Sequence, residues 1–287
     1  MPLLAIALLL AAAVAHATWN YVAKGASGSA SFIFCFTLVS EVLYLPLAVA
    51  ALIWTGDGVG LDLLLFALVS GGLHGAYFIL LNEGYAAGDL SVVYPLARGT
   101  GPALSVLGAI LIFGERPSPL ALAGAAFVVA GIVVMTWSPG RTHGAELGRS
   151  IVFALATGFV IAAYTLWDNK GVTIATPIIY SWCTEFFQLA LFAPFVLSSV
   201  QRRAEVARIF REQRLATGVI AALSPGAYIL VLVALTLAPV SYVAPAREIS
   251  ILFGAILGLR LLGESDPVRR LAGATAIVAG VFALALG

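Results

Sequence analysis

Charge is what this sequence has least of: 15 Lys and Arg and 14 Asp and Glu stand among 287 residues, 61% of which are hydrophobic. A water-soluble domain of this length needs far more charge to keep its surface wet, so the composition excludes one. Long polar stretches are also missing, which leaves no room for an extramembrane domain holding a conventional active site. Cysteine is nearly absent. Cys35 and Cys183 both fall inside apolar runs and read as small apolar fillers, which excludes a disulfide framework or a thiolate metal centre. There is no GxxxxGK[ST] loop to cradle ATP, and no HExxH, GxSxG or paired-Asp signature. No enzyme, cofactor or metal is therefore expected, and with a formal net charge of +1 no nucleic-acid partner either.

What is present is apolar sequence in long runs. A helix needs about 20 apolar residues to cross the hydrocarbon core of a bilayer, and such runs recur near residues 3–21, 30–54, 62–82, 91–113, 118–137, 149–168, 176–199, 215–237, 240–262 and 267–286. The expected fold is an all-α integral membrane protein of ten transmembrane helices, multi-pass in the cell (inner or plasma) membrane. The first run ends in small residues that resemble a signal-peptide cleavage site. Its leading "MPLL" carries no basic residue, however, and the run has a counterpart later in the chain, so it is read as a retained span.

The chain repeats itself. Gly114-Glu115, Gly124 and Ala130-Gly131 recur 149 positions later as Gly263-Glu264, Gly273 and Ala279-Gly280, and Arg98 and Arg247 keep the same offset. "GAYFIL" at 75–80 echoes "GAYILV" at 226–231. Trp19-Asn20 with Lys24-Gly25 echoes Trp167-Asp168 with Lys170-Gly171. Two five-helix units, 1–140 and 141–287, are thus expected. An odd number of spans per unit turns the second upside down relative to the first, which is the inverted-repeat plan of many transporters, with a site at midplane between the copies. Ser118-Pro119 and Asp266-Pro267 place a capping side chain and a proline where the last helix of each unit starts. The spacings Gly71/Gly75, Gly254/Gly258 and Ala276/Gly280 suit close helix packing.

Two five-helix units, each closing with a "GE" turn and a last helix like "LAGAAFVVAGIVV", resemble the EamA-type branch of the drug/metabolite transporter superfamily. The resemblance implies a basket of ten helices, the first four of each half lining a central cavity and the fifth packed outside.

Polar groups inside the spans mark where function is expected, because ionisable residues in hydrocarbon are costly. Tyr94 and Arg98 are four apart on the fourth span and share a face. Gly99, Gly101 and Pro102 follow and are expected to weaken the helix. Arg247, with Glu248 beside it, holds the matching place on the ninth span. Glu41 and Glu185 supply opposite charge on the second and seventh. His16, Trp19 and Asn20 form a stripe at helical spacing that Tyr164, Trp167 and Asp168 repeat. His74 and Tyr77 come from the third span, and Tyr228 from the eighth.

Such a wall suits a small zwitterion or anion with an apolar or planar part, such as an amino acid, organic acid or phosphonate. Arginine grips carboxylate or phosphonate bidentately, Glu41 or Glu185 can face an ammonium, and the tryptophans cover the rest. The expected activity is secondary transport, export or exchange, by alternating access, with Glu41, Glu185 or His16 as candidates for proton coupling. The same residues leave two alternatives open. An aromatic and glutamate cage would take a choline-like or other organic cation, with the arginines as counter-ions. A non-transporting receptor or scaffold would need only the paired charges. The expected partners are a small-molecule substrate and the lipid bilayer, and a homodimer is compatible with the pattern. Arginine and lysine crowd the loops after odd-numbered spans, among them "QRRAEVARIFREQR", where Val206, Ile209 and Phe210 could form an apolar stripe on an anionic lipid surface. The positive-inside rule then puts both termini outside, whereas the family resemblance implies both inside.

Overall fold

A computed structural model of the chain describes residues 1–23, 29–56, 58–87, 90–136, 145–253 and 267–287. The described residues form helices and no strands. They are α1 (Leu3–Ala23), α2 (Ala30–Thr55), α3 (Leu61–Ala87), α4 (Leu90–Phe113), α5 (Pro119–Thr136), α6 (Ala145–Gly171), α7 (Pro177–Leu197), α8 (Val200–Glu212), α9 (Arg214–Leu237), α10 (Val240–Ala246) and α11 (Pro267–Leu286). Seven of them, α1 to α4, α6, α7 and α9, are long and apolar enough to cross a membrane, and α5 and α11 hold shorter apolar stretches. Helices are what such sequence must form, since hydrocarbon offers backbone N–H and C=O groups no partner outside the segment.

The boundaries follow local chemistry. Ser29 caps α2, its Oγ accepting from the Phe32 N–H at 3.2 Å. Pro177 opens α7 where a missing N–H costs nothing. Ser118 Oγ accepts from the Ala121 N–H at 3.0 Å and starts α5. The turn before it needs Gly114, whose φ of 66° lies in the left-handed region.

The ninth span differs from the continuous helix expected over 240–262. After α10 the backbone tightens into a 3₁₀ turn at Arg247–Ile249 before helical backbone resumes at 250–253. Pro245 provides a reason, since it cannot donate to the helical ladder. Residues 254–266, with Gly254, Gly258, Gly263, Glu264 and Asp266, lie outside the described residues, as do Lys24, Gly25 and the side chain of Tyr94.

Helices pack through glycine. A Cβ on Gly71 would lie 2.8 Å from the Gln188 N and the Thr184 O, so α3 rides directly on the α7 backbone. Gly101 faces Ile161 at 2.7 Å and Gly158 faces Thr100 at 2.7 Å, drawing α4 onto α6. α4 runs unbroken through Gly99, Gly101 and Pro102, which were expected to weaken it. α5 crosses α11 at Gly124 against the Gly280 O and Gly131 against the Gly273 O, each 2.7 Å from where a Cβ would be. Cys35 and Cys183 are buried and unlinked.

The basic segment after α7 is the helix α8. Its apolar stripe divides: Ile209 is fully buried with Phe32, Cys35 and Ile220, Val206 packs beside them, and Phe210 stays exposed. Ile209 and Val206 are therefore met by α2 and α9 and not by lipid, while Phe210 is left at the surface. Arg203, Arg208, Arg211 and Arg214 stay exposed.

Candidate functional site

A cavity of about 140 Å³ lies among α1, α2, α3, α4, α6, α7, α9 and the 3₁₀ turn. Both arginines reach it. Arg98 comes from α4 and Arg247 from the turn, and they meet on one carboxylate. Arg98 Nη2 lies 2.6 Å from Glu248 Oε2, and Arg247 Nε donates to Glu248 Oε1 at 3.3 Å. Glu248 itself is fully buried. The 3₁₀ turn allows this: by tightening the backbone at Arg247 and Glu248 it presents one side chain to the cavity and the other to α4. Arg98 also reaches Ser250 Oγ at 3.5 Å. Arg247 Nη2 is buried with no hydrogen-bond partner among the described residues, and its guanidinium carbon stands 5.6 Å from the centre of the Tyr164 ring. Glu248 is thus the carboxylate that both guanidiniums contact among the described residues.

Facing groups come from α7. Glu185 lines the cavity and accepts a hydrogen bond from Ser40 Oγ at 2.6 Å. Gln188, one turn on, lines it too. Aromatic rings fill the space between. His74 stacks on Tyr164 with centroids 4.3 Å apart and meets Tyr228 edge-on at 5.1 Å. His16 meets Trp19 edge-on at 4.9 Å. Trp19 Nε1 is buried without a partner among the described residues.

Of the residues expected on this wall, His16, Trp19, His74, Tyr77, Arg98, Tyr164, Glu185, Tyr228 and Arg247 line the cavity. Three stand elsewhere. Asn20 is exposed, its amide donating back to the His16 O at 2.7 Å. Trp167 stacks on Phe66 with centroids 4.5 Å apart and donates from Nε1 to the Phe66 O at 2.9 Å, tying α6 to α3. Glu41 is buried away from the cavity, with Oε1 lacking a partner among the described residues, while its backbone O accepts from Trp182 Nε1 at 3.1 Å. Helical spacing gave the face of each stripe but not which neighbour each face meets.

Sequence reasoning missed Gln188, Ser250 and the surroundings of Asp168. Asp168 is fully buried and accepts from Tyr180 Oη at 2.7 Å and from Tyr228 Oη in a short bond. Gln188 carried a signal, being polar in mid-span three residues after Glu185. Among the described residues no cluster of His, Cys, Asp and Glu is placed to hold a metal ion.

Residues 148–286 match the model of the EamA-like transporter family. The match lies in the second half of the chain, and the family it points to is part of the drug/metabolite transporter superfamily. That family implies a membrane transporter of the superfamily's type, in keeping with the apolar helices of the chain. No curated protein matches it. A solved structure, described only as a crystal structure of a protein, aligns with a TM-score of 0.75 at 16% identity, over 98% of this chain and 96% of the other. At that identity the likeness concerns the fold alone, and it runs through both halves.

Proposed function

We propose that the chain is a secondary transporter, an exporter or exchanger, for a small zwitterionic or anionic metabolite such as an amino acid, organic acid or phosphonate, held in the central cavity. The observation that carries this reading is the pair Arg98 and Arg247 sharing the single carboxylate of Glu248, with Arg247 Nη2 left over at the cavity. An anionic group of the substrate meets that Nη2, and bidentate geometry suits the guanidinium. Glu185 and Gln188 then face an ammonium, and His16, Trp19, Tyr77 and Tyr164 flank an apolar or planar part.

The mechanism we propose is alternating access between two inverted five-helix units making ten spans in all. Three packing relations support it. Exchanging the halves turns the α3–α6 contact into the α1–α9 contact, and both are extensive. The same exchange carries α2 against α7 onto itself. It also maps Gly124 against Gly280 onto Gly273 against Gly131, and both contacts occur. The exposed arginines of α8 favour placing its face in the cytoplasm of a cell with an inner or plasma membrane, and Glu185 and His16, on the cavity wall, are the groups best placed for proton coupling.

The test is counterflow in proteoliposomes. Labelled substrate should accumulate against its gradient when unlabelled amino acids, organic acids or phosphonates are loaded inside. Accumulation driven only by quaternary ammonium compounds would instead establish the cation reading, in which Glu185 and the aromatic rings bind and the arginines are counter-ions. Transport that ignores an imposed pH gradient would remove the proton from the mechanism.

A further inference from the structure

Asp168 has no part in the cavity reading, yet it is a fully buried carboxylate inside a membrane span. Its two oxygens accept from the hydroxyls of Tyr180 on α7 and Tyr228 on α9, so one residue of α6 clasps two other helices. The clasp sits near the end of α6. There Gly171 packs so tightly on Tyr180 that a Cβ would fall 2.2 Å from its Cε2, and Trp167 is bonded to α3. This is the membrane face on which residues 1 and 285 meet, the Met1 ammonium donating to the Ala285 O at 3.0 Å.

The repeat supplies a control within the same molecule. The positions matching Tyr164, Asp168 and Tyr180 in the first half are His16, Asn20 and Phe36. Asn20 cannot offer a carboxylate and Phe36 has no hydroxyl. Burial follows: Tyr164, Asp168 and Tyr180 are all buried, whereas His16 and Phe36 are half-buried and Asn20 is exposed. Residues related by the repeat are thus more deeply buried toward the face of the chain ends than toward the face carrying α8.

We propose that Asp168, with Tyr180 and Tyr228, latches the cavity shut at the face of the chain ends, and that the missing latch in the first half makes the α8-facing opening the resting state. Tyr228 also lines the cavity, so a ligand that displaces its hydroxyl from Asp168 loosens the latch from within. The inference rests on the alternating-access reading above.

The experiment measures distances between spin labels in purified protein without substrate. One pair, on Thr173 and Thr236, reports the face of the chain ends; a second, on Glu83 and Gln201, reports the α8 face. Wild type should show a narrow, short distribution for the first pair. Asp168→Asn and the milder Tyr228→Phe, each with unchanged monodispersity, should add a longer component, shifting the ratio of states by roughly ten-fold as bonds to a charged group are lost. The converse variant, Asn20→Asp with Phe36→Tyr, should shorten the second pair. Unchanged distributions in all three variants overturn the latch. If the distances respond but no small metabolite shows counterflow, the latch stands and the transporter reading falls.

Discussion

Arg98 and Arg247, 149 positions apart, meet at the carboxylate of Glu248, which is fully buried between them. A buried ion pair is costly to break from one side, because the remaining charge keeps its desolvation penalty without its partner. Here one carboxylate serves two cations, so it should be the least replaceable member of the group. Glu248→Gln is expected to destabilise the fold by about 3–5 kcal/mol, read as a large drop in thermal midpoint. Arg247→Gln, which leaves the Arg98–Glu248 pair intact, should cost far less. Equal losses in the two variants would contradict this division of roles.

The crossing of α5 and α11 depends on the absence of side chains. Gly131 lies against the backbone of Gly273, where a Cβ would approach the carbonyl oxygen to 2.7 Å. Gly131→Ala has no flexible neighbour to push aside, so a loss of about 1–3 kcal/mol is expected. Gly218, with open space around its Cβ position, should take alanine with little change or a slight gain. Thermal unfolding of the two variants side by side checks the contrast.

Glu115 explains why the turn after α4 carries an acid. Its Oε1 accepts from the Val240 N–H and its Oε2 from the Ser241 N–H, both at 2.9 Å, capping α10 from the other half of the chain. Pro239, at the cap position itself, has no side chain able to do so. A carboxylate at a helix start is favourable twice over, through the hydrogen bonds and through the helix dipole. Glu115→Ala should cost about 1–2 kcal/mol, and Glu115→Gln should recover part of it.

Much of this architecture was legible because bilayer physics simplifies sequence. The limits of the seven long apolar helices could be read from apolar length, and the 149-residue offset relates Arg98 to Arg247 and Gly124 to Gly273 in the sequence. What escaped the reading were choices between faces. Trp19 and Trp167 hold matching places, yet one lines the cavity and the other bonds to Phe66, and nothing in the local spacing distinguishes a ring over a cavity from a ring over a neighbouring backbone. α8 escaped for a related reason. Val206 and Ile209 form the stripe that periodicity announces, but an apolar stripe is satisfied equally by lipid or by Phe32 and Ile220. Asp168 was visible as part of a stripe, while its tyrosine partners come from helices whose approach only the fold decides.

The central claim is that Arg247 is the substrate's anion ligand. Ligand-induced thermal stabilisation of wild type, Arg247→Gln and Asn20→Ala, against panels of amino acids, phosphonates and quaternary ammonium compounds, tests it most directly. A ligand at a hundred times its Kd should stabilise wild type by about 2.7 kcal/mol. The account predicts stabilisation by a carboxylate or phosphonate compound that Arg247→Gln abolishes and Asn20→Ala retains. Full stabilisation of Arg247→Gln, or a response confined to quaternary ammonium compounds, would contradict it.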